Sequence, residues 1–168
     1  NLPASDRGPA RVWYGSAAAS EFHDKDWLPT HVRHDEDVQI RSLTNDQTIL
    51  LLAGPKSRDV LAEVIKDADP ETALSNKRFP WLSAKQIELG MCPVNAIRVA
   101  YTGELGWELH HPIEMQNYLF DLLEKAGEKH GMKLVGARAQ NWLRQEKSYR
   151  AFGTELGRDA TPLEADLP

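Results

Sequence analysis

Within Tyr101-Thr102-Gly103-Glu104-Leu105-Gly106-Trp107-Glu108-Leu109, the carboxylate of Glu104 is flanked by two glycines. Glycines there let the backbone turn tightly and a ligand approach closely. A carboxylate so presented can accept two parallel N–H bonds from a 2-aminopyrimidinone edge. Arg144 follows 40 residues later (144 − 104), in Trp142-Leu143-Arg144-Gln145-Glu146, and its planar fork can hold a carboxylate through paired donors. Tyr101 and the aromatic pair Phe79 and Trp81 can wall a pocket. Taken singly, each has a blander reading that wins. Glu104 is then a solvated turn acid, and Arg144 a surface residue beside Glu146 or a partner of Gln140 or Gln145. Trp81 and Trp107 read first as core packing.

Several elements must position these groups. Arg11–Ala19 reads as a strand limited by Gly15-Ser16, and His23–Val32 as a helix weakened by Pro29. Asn1–Pro9 reads as a loop. Val38–Leu43 alternates like a half-buried strand, and Thr48–Ala53 is apolar throughout, the pattern of a central strand. Gly54-Pro55 opens a helix whose buried stripe is Val60, Leu61, Val64 and Ile65. Ala68–Ser83 is an irregular connection with one short helical piece. Lys85–Leu89 and Pro93–Ala100 form strands joined across Gly90, and Leu105–His110 is the next strand, with Thr102-Gly103-Glu104 at or beside a hairpin. Ile113–Lys129 carries Met115, Tyr118, Leu119, Leu122, Leu123 and Ala126 along one helical face, and Gly136–Lys147 is a second helix. This succession predicts an α+β fold, helices packed on a mostly antiparallel sheet.

The totals narrow the function classes. A chain of 168 residues suits one domain with a real core. A net charge of -5 and a pI near 5.7 argue against a nucleic-acid partner. Cys92 alone excludes an internal disulfide and a two-cysteine metal site, and fits a reducing compartment. The longest apolar run, Ile49–Ala53, is far short of the roughly 20 residues of a membrane span. His110 and His111 alternate faces of a strand and share no ion easily, so no metal site is expected. No Gly-x-Gly-x-x-Gly fingerprint, phosphate loop or nucleophile elbow is present.

In combination the motifs are specific. Tyr101-Thr102-Gly103-Glu104-x-Gly106-aromatic-Glu108, then Leu143-Arg144-x-Glu146, then Thr161-Pro162-Leu163-Glu164-Ala165 occur in order, after Leu51-Leu52-Ala53-Gly54-Pro55-x-Ser57-Arg58. From about Trp13 to Leu167 the chain resembles the folate-binding aminomethyltransferase family, which includes the glycine-cleavage T-protein and the folate domains of dimethylglycine and sarcosine dehydrogenases. Glu146-Lys147-Ser148-Tyr149-Arg150 with Phe152-Gly153-x-Glu155-Leu156 resembles the dehydrogenase version, Ser148 standing where glycine is usual. The resemblance implies a tetrahydrofolate-binding, one-carbon-transfer domain forming 5,10-methylenetetrahydrofolate. Glu104 is then expected to bind the pterin and Arg144 the carboxylate tail, with Tyr101, Phe79 and Trp81 as pocket walls. No catalytic residue is expected within the chain, because the family's catalytic Asp belongs upstream of Asn1. Residues 1–168 are expected to form a single partial domain, lacking its N-terminal part and the C-terminal barrel. FAD is expected only in the flavin domain of a parent chain, in the bacterial cytoplasm or mitochondrial matrix, with no nucleic-acid or membrane partner. A T-protein, a related demethylase and a non-catalytic folate-binding fragment remain the alternatives.

Overall fold

The computed structural model describes residues 10–167. The loop expected at Asn1–Pro9 lies outside them. The chain divides into two compact units, residues 1–43 and 44–168.

In the first unit a 3-10 turn at Ala18–Ser20 runs into helix α1, Glu21–Trp27, and a second 3-10 turn at Leu28–His31. The α-helix gives way just before Pro29, whose ring and missing N–H oppose an α-helical continuation. No strand forms over Arg11–Ala19, where only Arg11 makes an isolated bridge. Val38–Leu43 is not a strand either. Val38 and Ile40 are exposed, and an alternating pattern without a neighbouring strand has nothing to bury its apolar face against.

The second unit holds an antiparallel sheet of β1 (Gln47–Ala53), β2 (Ala84–Leu89), β3 (Cys92–Ile97) and β4 (Gly106–Pro112). Its order is β1-β4-β3-β2, and the fold is α+β as the sequence predicts. The strand read as central, β1, lies at the edge, with Ile49 and Leu51 52% and 41% exposed. An apolar run does not say how many strands flank it, nor that both of its faces are covered. The interior positions belong to β4 and β3, and in β4 Trp107, Leu109 and His111 are fully buried. Between β2 and β3, Gly90 at φ +57° supplies the backbone the two-residue turn requires. Met91 N–H donates to the Tyr118 hydroxyl at 3.0 Å, tying that turn to the long helix.

Helices α2 (Ser57–Val64) and α4 (Gln116–Gly127) pack together, and their inward residues Val60, Leu61, Leu119 and Leu123 join Leu89, Val94, Trp107 and Leu109 in one core. The short α3 (Pro70–Ala73) is capped by the Asp69 carboxylate on Thr72 N–H. Helix α5 (Ala137–Glu146) follows α4 after a left-handed Gly131 at φ +74°. Among the described residues no helix is long and apolar enough to cross a membrane.

Candidate functional site

The loop from Arg98 to Leu105, between β3 and β4, carries Glu104, and its neighbours fasten it at three places. At its start, Arg98 N–H donates to the Ser83 carbonyl and the Arg98 carbonyl accepts from Leu82 N–H. At its end, the Leu105 carbonyl accepts from Gly54 N–H at 2.8 Å and from the Ser57 hydroxyl at 3.0 Å. In the middle, Tyr101 stacks on Tyr149, ring centres 6.0 Å apart, and its hydroxyl donates to the Arg150 carbonyl. Gly103, at φ +70°, sits against the Lys147 stem so closely that a Cβ would meet Cγ at 2.3 Å. The two separated motifs are therefore one surface, with the Glu104 carboxylate exposed and 3.9 Å from the Lys147 ammonium.

Two buried polar atoms of this part of the chain have no partner, the Thr102 hydroxyl and the indole N–H of Trp107. Buried polar groups are normally answered, and Thr102 is the immediate neighbour of Gly103. The Thr102 hydroxyl is buried, whereas the exposed Glu104 carboxylate gives this loop an acceptor for paired N–H donors. That chemistry fits an amino-substituted heterocycle such as a pterin.

Arg144 is not on an exposed face. It is 2% exposed, and its guanidinium donates to Asn141 Oδ1, the Tyr149 carbonyl and both oxygens of Glu155, the last at 3.0 and 3.2 Å. Its helical partner is Asn141, rather than Gln140 or Gln145. Glu155 in turn accepts from Ala151 N–H, and that bond followed by Arg144 holds its carboxyl below the usual carboxylate range. Phe79 is fully buried in the core, edge-on to Trp107 with ring centres 6.2 Å apart. Trp81 is 67% exposed, so of the two tryptophans read as core only Trp107 is buried there. The structure brings Tyr101 and Glu104 to the shared surface and sets Arg144 behind it.

Sequence reasoning assigned no role to Lys147, Tyr149 or Thr102. Lys147 and Tyr149 lie inside the Arg144 motif, but spacing alone does not reveal that the chain turns back there onto the Tyr101 loop. Among the described residues, no group of three or more His, Cys, Asp or Glu is placed to hold a metal.

Human mitochondrial dimethylglycine dehydrogenase is 38% identical over 99% of this chain, which spans 19% of that protein. Mouse mitochondrial sarcosine dehydrogenase is 39% identical over 77% of the chain and 14% of its own length. An aminomethyltransferase from Chlorobaculum tepidum is 35% identical over 86% of the chain and 38% of its own length. Among solved structures, the heterotetrameric sarcosine oxidase from Corynebacterium sp. U-96 in complex with pyrrole 2-carboxylate aligns with 61% of this chain and 49% of its own, at 22% identity and TM-score 0.49. The GCVT N-terminal domain family matches residues 4–168. The chain belongs to that family of aminomethyltransferase-type domains.

Proposed function

We propose that the chain binds tetrahydrofolate at the Tyr101–Glu104 loop and serves one-carbon transfer that yields 5,10-methylenetetrahydrofolate. The observation that carries the reading is the docking of that loop on Lys147, Tyr149 and Arg150, which gathers both motifs around one exposed carboxylate. Glu104 accepts the paired N–H donors of the pterin edge, with the Lys147 ammonium 3.9 Å from its carboxylate. Tyr101 and Tyr149 offer ring surface beside it, and Trp81 stands open to solvent. Bound folate supplies the nucleophilic amine; the chain's own residues bind and orient it. In a parent protein, a separate flavin domain holding FAD would supply the oxidation of an N-methyl amine to an iminium, whose carbon the folate amine then captures.

Arg144 fits a positioning role within this reading. Holding a folate carboxylate directly requires that carboxylate to take the place of Glu155 at the guanidinium. With Glu155 in place, Arg144 instead fixes Tyr149, the residue on which Tyr101 stacks.

Titration calorimetry with tetrahydrofolate tests both roles. Glu104→Ala should weaken binding about 30-fold or more, the loss of charge-assisted bonds worth about 2 kcal/mol, with the melting temperature unchanged. Arg144→Ala should weaken binding and lower the melting temperature together. Wild-type affinity in Glu104→Ala would rule out the pterin assignment.

A further inference from the structure

Away from the candidate folate surface, two arginines share one neutral partner. Arg58, in the first turn of α2, and Arg98, just after β3, both donate to Asn76 Oδ1, at 2.7 and 2.8 Å. Arg98 also donates to the Phe79 carbonyl, and its guanidinium lies 6.0 Å from the centre of the Trp107 ring. The Nε–H of each arginine is buried and has no acceptor. Among the described residues, no carboxylate is within ion-pair distance of either guanidinium.

Acids are nevertheless close at hand. Asp59, Glu63 and Glu71 line a cleft of about 390 Å³ together with Arg58 and His130. Glu63 is engaged by Lys129 and His130, at 2.8 and 2.6 Å, and among the described residues Asp59 and Glu71 form no ion pair with Arg58 or Arg98. Asn76 is followed by Lys77 and Arg78, both exposed and without an ion pair among the described residues. In a chain carrying 25 acidic and 20 basic residues, Arg58, Lys77, Arg78 and Arg98 are four cations without an ion pair among the described residues.

Arg58 and Arg98 are each half-buried, and like charges brought together there cost free energy unless a counter-charge answers them. Burial, and after it the charge of Arg58, lowers the Arg98 pKa from its ordinary value. Asn76 supplies only a dipole, and its amide nitrogen remains a further donor for an incoming acceptor. Guanidinium forks are matched in shape to phosphate and carboxylate oxygens.

We propose that Arg58, Arg98 and Asn76 form a binding site for a multiply charged oxyanion, phosphate or carboxylate. The anion takes donors from both guanidinium groups, and Lys77 and Arg78 add the positive field that draws it in. This site uses none of Tyr101, Glu104, Lys147 and Tyr149, although Arg98 also opens the loop that carries Glu104. The competing account is a purely structural staple, in which the arginines only tie Asn76 and Phe79 to α2 and β3.

Titration of the full chain with inorganic phosphate and, separately, with citrate separates the two accounts. Ionic strength is held constant with sodium chloride, and heat and melting temperature are both followed. The expected result is saturable binding of at least one anion, the two arms distinguishing phosphoryl from carboxylate recognition. Arg58→Gln should weaken it about tenfold or more, as the loss of a charged fork requires. Should that variant fail to fold, Arg58→Lys keeps the charge, removes the fork and is expected to weaken binding as well. Absence of saturable binding by either anion, or unchanged affinity in a folded Arg58 variant, would overturn the site.

Discussion

A guanidinium that has left water must be answered, and Arg144 is answered by Asn141, the Tyr149 carbonyl and Glu155. Folding lowers the Glu155 pKa, first through Ala151 N–H and then through Arg144. The stabilisation is therefore present above the ordinary glutamate range and lost as pH falls through the folded value. Glu155→Gln should accordingly melt below wild type at neutral pH, and the gap should close as pH falls below roughly 4. A gap independent of pH would show that the carboxylate charge is not what matters. In the proposed positioning role, the same variant also weakens folate binding, whereas a direct-contact role predicts tighter binding once the arginine is released. The importance of Arg144 was legible from its motif, but its burial was not. Its partner Glu155 lies 11 residues on, across a chain reversal that neither helical nor strand periodicity announces.

That reversal is the C-terminus of α5. Tyr149 N–H donates to the Arg144 carbonyl and Ser148 N–H to that of Gln145, both at 2.9 Å, the bond pair of a Schellman ending. Such an ending places its pivot in the left-handed region, and Ser148 sits there at φ +57°. The sequence had marked this position as a serine where glycine is usual, and the backbone gives the reason for the preference. A non-glycine residue in that conformation costs about 1–2 kcal/mol, against roughly 0.5–1 for the added chain entropy of glycine. Ser148→Gly should thus stabilise the protein by about 0.5–1 kcal/mol in denaturant unfolding; a destabilised variant would contradict the cap. Strongly periodic elements such as α4, and those punctuated by glycine such as the β2–β3 turn, were legible for equally local reasons. The expected strands Arg11–Ala19 and Val38–Leu43 were not realised, because a strand depends on a neighbour that local sequence does not name.

At the scale of the molecule, the order of the motifs revealed the family even though each motif was weak alone. The edge position of β1 was hidden because an apolar run carries no information about strand order. The chain spans about a fifth, 19%, of the dimethylglycine dehydrogenase it matches, so amine oxidation belongs to the proposal for a parent protein. Trp107 is fully buried beneath Arg98, whereas Trp13, Trp27, Trp81 and Trp142 are 41%, 50%, 67% and 69% exposed. In optical terms, one dry indole emits at shorter wavelength against four wet ones. Acrylamide should quench most of the emission and leave a blue-shifted remainder that vanishes on unfolding. A remainder with the unquenched spectrum would place water at Trp107. Because the guanidinium of Arg98 lies over that indole, the same colour also becomes an internal gauge of whether the arginine pair has found its anion.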